Sequence, residues 1–385
     1  MSNKILMLIS KSRYNALGSY SMQLGACFEK MGYEVDYVDG NKDGYEDHLY
    51  ECTSNNEYFA IIACNAILTG YEKFIQKDSI FCCLMFDHPI HHHERLKIAD
   101  CSTFVFHCDM KSAEYIAKYY PNVGGVGFLP LSGKYVDDIK QFGERQYDIV
   151  FTGSYNNSDE IYQTAKESYG KYFVYFKETT DILKENVGLT IQEAFEMVIQ
   201  AKSILLSDDE FAEVLKDFRM IDNYMRAWIR EKVVRIINDA GYKIHIFGGG
   251  WDKFESTYPE NIIQMQGFGD EALKVLADAK IALNVMPWFR GGFQERIASA
   301  QLCGAIALTD TSTFIEEYFE DGEDILIYDA LNPQSITDRI KKVLDNPEIG
   351  EKIANAGLKK AHEGHRWEQR AEEIIDNINE ILYHR

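Results

Sequence analysis

A glycine-rich turn at residues 289–296 carries residue types that can hold an anion. Gly291 and Gly292 precede a segment with helical apolar spacing, residues 294–302, and Arg296 falls in its first turn. Glycines let backbone amides approach an anion closely, and the unpaired amides and positive dipole end of a helix favour a diphosphate there. Arg296 adds a fixed positive charge. The pattern predicts a phosphate site, although two glycines before a helix are also ordinary loop chemistry.

A polar loop at residues 87–93 supplies the candidate acid–base groups. Asp87 and His88 directly follow an apolar run at residues 80–86. Either side chain can act as a general base, because burial and neighbouring groups tune both types to titrate near neutrality. The alternative is that Asp87 caps the following helix and the histidines are polar surface groups. Three consecutive histidines at residues 91–93 point in divergent directions, so we expect no metal site.

Short apolar runs alternate with amphipathic segments along the chain and predict repeated strand–helix units. The first series of runs lies at residues 4–10, 34–38, 58–64, 80–86, 103–107 and 125–129. The second series lies at residues 147–151, 243–247, 262–266, 281–286 and 305–309. Repeated units of this kind form parallel sheets covered by helices on both faces. We therefore predict an α/β protein with two Rossmann-like, doubly wound domains.

A charged link before residue 147 sets the predicted domain boundary. The first domain covers residues 1–146 and the second covers residues 147–366, with a helix-rich insertion at about residues 158–222. Ligands of doubly wound sheets bind beyond the carboxyl ends of the strands. We therefore expect the loop with Asp87 and His88 to face a cleft between the domains.

Composition limits the partners and the compartment. The chain has 385 residues, with 61 acidic against 40 basic side chains and a formal net charge of −21. Such a charge repels phosphate backbones and anionic lipids, so we expect no nucleic-acid partner. The eight cysteines lie mostly in apolar runs without a CxxC pair, and no window reaches the length of a membrane span. These features predict a soluble, cytoplasmic protein with no integral membrane segment; the oligomeric state is not readable from them.

Six short segments in the C-terminal half carry a family resemblance. They are Gly267-Phe268, the run at residues 279–284, Glu295-Arg296, the run at residues 300–310, Gly322-Glu323 and the run at residues 365–367. Through these segments, residues 245–370 resemble the donor-binding half of GT-B glycosyltransferases, closest to the CgeB-like and family-1-like bacterial group. The resemblance implies two Rossmann-like domains facing across a cleft, with the C-terminal helix at residues 367–385 crossing back to the first.

The resemblance also implies roles for individual residues. Arg296 would contact the donor diphosphate, and the loop with Gly267 and Phe268 would lie near the nucleobase. Gly291 and Gly292 would face the phosphates or the donor sugar.

Three further positions complete the predicted donor site. Gly18 is expected in the first β–α turn, where GT-B enzymes often bring backbone against the donor, although a plain turn glycine is the equal alternative. Gly153 follows the first strand of the second domain, and Asn284 lies within the later strand predicted at residues 281–286.

The predicted donor site departs from the family pattern at its acidic residues. Many relatives place a ribose-binding glutamate where this chain has Ser299, and a second glutamate where it has Gly291. Glu295 is therefore only a substitute candidate for a ribose contact.

These features together predict a metal-independent glycosyltransferase that needs no cofactor. The expected donor is a nucleotide-diphosphate sugar, with a UDP-sugar favoured. The expected acceptor is a hydroxyl group of a protein, glycan or small molecule. Two alternatives stay open: a GT-B sugar-nucleotide epimerase or hydrolase, which shares the diphosphate site, and a non-catalytic nucleotide-sugar sensor.

Overall fold

The computed structural model describes residues 2–10, 16–66, 79–267, 269–286 and 288–384. The chain forms two compact units, Met1–Leu131 with Trp367–Arg385, and Ser132–Arg366. Within the described residues, no helix is long and apolar enough to cross a membrane.

The first unit is a parallel sheet with helices packed on it. Its strands are β1 Lys4–Ile9, β2 Glu34–Asp39, β3 Ala60–Cys64, β4 Ile80–Met85, β5 Thr103–His107 and β6 Gly125–Phe128. Its helices are α1 Ala16–Lys30, α2 Tyr45–Asn55, α3 His93–Lys97, α4 Met110–Tyr119 and, from the end of the chain, α15 Trp367–His384. The strand order is β2-β1-β3-β4-β5-β6. Every residue of β3, β4 and β5 is buried, as expected of strands covered on both faces.

Helix α15 completes the core of the first unit. Ile374 and Ile378 are fully buried and join a cluster that includes Leu24 and Phe28 of α1. The indole of Trp367 packs against the ring of Tyr20, with centroids 5.2 Å apart. The apolar stripe of the last helix is therefore part of this core rather than a surface feature.

The second unit is a separate parallel sheet. Its strands are β7 Tyr147–Thr152, β8 Ile244–Phe247, β9 Ile262–Met265, β10 Ala279–Leu283, β11 Ile306–Thr309 and β12 Leu326–Ile327. Its helices are α5 Ser158–Tyr169, α6 Phe173–Glu185, α7 Ile191–Ala201, α8 Asp208–Asp217, α9 Met220–Asp239, α10 Asp270–Leu276, α11 Glu295–Leu302, α12 Thr313–Tyr318, α13 Pro333–Leu344 and α14 Pro347–Gly364. The predicted α/β class with two parallel, helix-covered sheets is confirmed.

The strand order of the second sheet places a switch point between β7 and β10. The order is β12-β11-β10-β7-β8-β9, so the chain runs outward from β7 to β9 and then returns to the other side of β7. Ligands of open α/β sheets bind at such a reversal, outside the carboxyl ends of the strands. The segments that follow β7 and β10 begin at Gly153 and Asn284, and both were predicted donor-site residues.

Candidate functional site

Asn284 follows β10 and positions Arg296. Its amide nitrogen donates to Thr309 Oγ1 over 3.0 Å, and its Oδ1 accepts from Arg296 Nε over 3.0 Å. Arg296 also donates from Nη2 to the Val285 carbonyl at 3.2 Å and to the Gln294 side chain. These three acceptors are neutral. These bonds orient the guanidinium at the start of α11.

The chain between β10 and α11 is held by buried side chains. Trp288 adopts a positive φ of 54°, and its Nε1 donates to the Leu189 carbonyl at 3.0 Å, which ties the turn to the helical insertion. The Arg290 guanidinium lies 4.5 Å from the centre of the Trp288 ring and 3.4 Å from Asp310 Oδ2. Asp310 also accepts from the Met286 amide at 2.8 Å. Burial raises the pKa of Asp310, and the neighbouring Arg290 opposes that shift. These contacts hold the turn in one defined conformation.

Gly291 and Gly292 lie within this turn and are both buried. The carbonyl of Gly292 accepts a hydrogen bond from Ser312 Oγ. Ser312 also caps α12, since its side chain accepts from the Ile315 amide at 3.2 Å. The turn is thereby joined to the segment after β11, which fixes its path up to the first residue of α11.

Ser299 has a structural role that accounts for the missing glutamate. Its hydroxyl donates to the Glu295 carboxylate one turn earlier in α11 and accepts from the Lys134 amide at 2.9 Å. The backbone of Gly133 lies so close to α11 that a Cβ there would stand 2.4 Å from the carbonyl carbon of Ala298. Glycine is required at position 133 for this approach. Glu295 is therefore held beside Ser299, with its carboxylate partly exposed.

We expect Gly133→Ala to destabilise the second unit, because the new methyl group meets helix backbone that cannot move aside easily. Overpacking of this kind costs about 1–3 kcal/mol, which lowers the thermal midpoint by several degrees. The matched control is Gly143→Ala, where a Cβ meets no atom within 4 Å. Differential scanning calorimetry of both variants checks the prediction; equal midpoints would contradict the close packing of residue 133 on α11.

The glycines after β7 and β8 pack against each other. The Gly153 amide donates to the Phe247 carbonyl at 2.8 Å, and its carbonyl accepts from Trp251 Nε1 at 2.7 Å. A Cβ on Gly248 would stand 2.5 Å from the Gly153 carbonyl oxygen, and the φ of Gly248 is +143°. Glycine is needed at position 248 for this contact. Both polar backbone groups of Gly153 are used within the protein.

Arg230 of α9 is a site residue that the sequence analysis missed. Its Nη1 donates to the Ser154 carbonyl at 2.6 Å, and its guanidinium lies 6.0 Å from the centre of the Phe151 ring. Its Nε is shielded from solvent, and neither this atom nor the rest of the group has a carboxylate partner among the described residues. Burial and the neighbouring cations Arg296 and Arg226 lower the pKa of Arg230 to about 9, so it stays charged at neutral pH.

Arg230 and Arg296 together make the switch point of the second sheet a cationic site. The two cations come from α9 and α11 and lie close enough to repel each other. A shielded charge such as that of Arg230, which has no carboxylate partner among the described residues, is unfavourable, and a bound anion removes that cost. In the sequence, Arg226 and Arg230 stand four residues apart and so share one helix face, which was the available signal.

Gly267 stands at the end of β9, at the edge of the sheet. Its φ is +97°, and a Cβ there would lie 2.9 Å from the side chain of Glu271. The turn after β9 therefore requires glycine. Phe268, the other residue predicted near the nucleobase, lies outside the described residues.

The first unit holds Asp87 and His88 at the carboxyl end of β4. Asp87 Oδ2 accepts from Asn65 Nδ2 at 2.7 Å, and the Asp87 carbonyl lies 3.0 Å from His107 Nε2. His88 Nδ1 accepts from the Ile90 amide at 3.2 Å and so caps the short 3-10 turn that follows. The capping role considered for Asp87 thus belongs to His88. Asp87 has its own carboxylate engaged by a neutral amide.

His92 is a buried neighbour of Asp87. Its side chain is 8% exposed, and neither ring nitrogen has a hydrogen-bond partner in the part of the chain that the structure describes. Burial lowers the pKa of His92 to about 4, against the opposing effect of Asp87. The imidazole is therefore neutral at physiological pH. Among the described residues, no group of three or more His, Cys, Asp or Glu side chains could hold a metal ion.

Gly18 does not lie in a β–α turn. Helix α1 spans Ala16–Lys30, so Gly18 falls in its first turn, and it is buried. In the sequence, the apolar spacing of this helix becomes clear only after Gly18, which is why the glycine was expected in the turn. The expected placement of Gly18 was wrong, and its role toward a donor stays a prediction.

Comparisons with known proteins agree with this architecture. Residues 225–376 match a family model described as glycosyl transferase-like. No curated protein matched the sequence. The matched residues begin inside α9 and include the turn and helix that carry Arg296.

Three solved structures share the fold. Sucrose-phosphate synthase from Thermosynechococcus elongatus is 12% identical over 99% of this chain and 100% of its own, with a TM-score of 0.57. An alpha-glucosyltransferase solved with UDP and a 13-mer DNA containing a HMU base is 13% identical over 98% and 99%, with a TM-score of 0.57. A glycosyltransferase from Rickettsia africae ESF-5 is 9% identical over 99% of each chain, with a TM-score of 0.57.

The fold is therefore that of the GT-B glycosyltransferases. The second unit carries a glycosyl transferase-like segment. The CgeB-like subgroup stays a prediction, as does the absence of a nucleic-acid partner.

Proposed function

We propose that this protein transfers a glycosyl group from a nucleotide-diphosphate sugar, a UDP-sugar, to an acceptor hydroxyl. The observation that carries the proposal is the pair Arg230 and Arg296 at the switch point of the second sheet. Arg230 is a shielded cation without a carboxylate partner in the described residues, and Arg296 is oriented by neutral acceptors. A diphosphate gives Arg230 a counter-charge and presents oxygens to the Arg296 guanidinium.

The same two cations suit the chemistry of glycosyl transfer. When the bond between the anomeric carbon and the diphosphate oxygen breaks, the electron pair stays on the diphosphate. Fixed positive groups at that oxygen stabilise the developing charge without reorganising. Arg296 stands in the first turn of α11, and the positive end of that helix dipole also favours an anion. Two structural neighbours were solved with UDP, which supports UDP as the carrier.

Glu295 is the proposed ribose contact in place of the family glutamate. Its carboxylate stands one turn before Ser299 and accepts from that hydroxyl. A carboxylate with remaining acceptor capacity can receive a hydrogen bond from a ribose hydroxyl. Gly267 at the β9 edge and Phe268 are the proposed nucleobase contacts.

The acceptor hydroxyl must lose a proton as its oxygen bonds to the anomeric carbon, and we propose Asp87 as the base that receives it. His88 is the second candidate; its Nδ1 accepts from the Ile90 amide, which fixes the orientation of the ring. The Asp87 carboxylate is oriented by Asn65 and keeps a further oxygen for a proton. The rest of the rate enhancement comes from the positioning of the two substrates and from stabilisation of the diphosphate leaving group, without a metal.

The experiment is a turnover assay that follows nucleotide release from labelled UDP-sugars, with and without acceptor extracts. Asp87→Asn should lower turnover by about 100-fold or more, the usual contribution of a general base, while UDP affinity stays unchanged. Asp43→Asn, an exposed carboxylate of the same unit, is the control.

The assay separates the alternatives as well. Release that needs no acceptor identifies a hydrolase, and interconversion of the sugar identifies an epimerase. Binding without any turnover identifies a sensor. Full activity in both Asp87→Asn and His88→Gln would show that neither residue acts as the general base.

A further inference from the structure

A pocket of about 630 Å³ opens beside the helical insertion of the second unit. Its walls come from the segment after β7, the turn after β8, and the facing sides of α5 and α9. This volume lies in the usual range for small-molecule sites. We call it the insertion pocket, because one of its walls, α5, is the first helix of the helical insertion.

The insertion pocket is basic in an acidic protein. Arg226, Arg230 and Lys253 line it, against the single carboxylate of Glu160. Arg226 is partly neutralised by Asp222 at 3.2 Å, whereas Arg230 has no carboxylate partner among the described residues. In a chain of net charge −21, a cavity with this balance selects an anion.

The rest of the lining suits a hydroxylated molecule. Asn156, Asn157 and Asn223 present side-chain amides, and Thr164 presents a hydroxyl. Asn157 uses its Oδ1 to cap α5, accepting from the Asp159 amide at 2.9 Å, so its amide hydrogens face outward from that bond. Amides donate to and accept from hydroxyl groups with equal ease. A lining of cations, amides and a hydroxyl matches a phosphate joined to a polyol.

We propose that the insertion pocket binds a second ligand, a sugar phosphate or polyol phosphate, in addition to the nucleotide sugar. Arg230 and Lys253 hold the phosphate group, and the three asparagines hold the hydroxyls. Arg230 lines this pocket and is also one of the two cations of the proposed diphosphate site. The pocket thereby gives the helical insertion a role in ligand binding.

The test is a calorimetric titration of the full-length protein with glucose 6-phosphate and with glycerol 3-phosphate, before and after saturation with UDP. Glucose and glycerol are the phosphate-free controls. We expect at least one phosphate probe to bind at least tenfold more tightly than its control, and to bind with UDP present.

Two variants locate the binding. Lys253→Glu should weaken the phosphate probe at least tenfold, and Thr164→Trp should abolish its binding by filling the pocket from an exposed helix position. Both variants should keep the affinity of the wild type for UDP. The matched control is Lys243→Glu, the same charge reversal at the opposite end of β8.

Three results would overturn the inference: no binding of either phosphate probe, displacement of the probe by UDP, or insensitivity to both pocket variants. Loss of UDP affinity in Lys253→Glu would also overturn it, because the pocket would then belong to the nucleotide. Failure of the wild type to bind UDP counts against the proposed function instead, and the probe titrations remain decisive for the pocket.

Discussion

Arg296→Gln weakens the binding of UDP by about 30-fold or more, which corresponds to ~2 kcal/mol for lost hydrogen bonds to a charged group. The structure gives the reason. Asn284 and Val285 aim the guanidinium from the first turn of α11, so its position is set before a ligand arrives. Glutamine lacks both the charge and the planar fork that pairs with phosphate oxygens.

Arg296→Lys refines this prediction. Lysine keeps the charge but cannot reach Asn284 and a phosphate with one fixed geometry, so we expect an intermediate loss of UDP affinity. Isothermal titration calorimetry with UDP measures both variants, and a thermal melt confirms that each is folded. UDP affinity equal to that of the wild type in Arg296→Gln would show that the diphosphate site has been misplaced.

Arg230→Met tests whether Arg230 serves UDP binding or the stability of the fold. We expect UDP affinity to fall at least tenfold, which is about 1.4 kcal/mol, while the thermal midpoint of the ligand-free protein stays the same or rises. Methionine fills much of the same space without a desolvated charge, and Arg230 has no carboxylate partner in the described residues that would be left behind.

A matched control lies on the same helix. Arg235→Gln removes a cation that already pairs with Glu231 at 2.9 Å, so UDP affinity should not change. A fall in the thermal midpoint of Arg230→Met with unchanged UDP affinity would identify Arg230 as a structural cation. Salt dependence offers a second check, since the wild type should lose more UDP affinity than Arg230→Met as ionic strength rises.

Most strands were predictable because burial on both faces leaves continuous apolar runs. The predicted run at residues 103–107 coincides with β5, and the run at residues 4–10 exceeds β1 by one residue. Strand β10 ends at Leu283, earlier than the predicted residue 286, because pairing with β11 stops at Leu308 and the chain turns at Asn284. Strand β12 was missed, since two residues carry no periodicity.

The site was only partly predictable, for reasons that individual residues make clear. Arg296 follows a glycine turn, and that local pattern is visible in the sequence. Arg230 is separated in sequence from the end of β7 by the helical insertion, and a charged residue on an amphipathic helix usually belongs to its solvent face. Only the packing of α9 against the segment after β7 reveals it. In the sequence, Ser299 was a departure from the family pattern, which has a glutamate there. In the structure, its hydroxyl contacts both Glu295 and the Lys134 amide, which gives a reason for the small polar residue.

The central claim is that the switch point of the second unit binds a nucleoside diphosphate through Arg230 and Arg296. The most direct test is a calorimetric titration of the wild-type protein with UDP and, separately, with uridine. The account predicts saturable binding of UDP and an affinity for uridine at least 100-fold lower, because the phosphates meet both cations. Equal affinities, or no heat with UDP or any other nucleoside diphosphate, would contradict it.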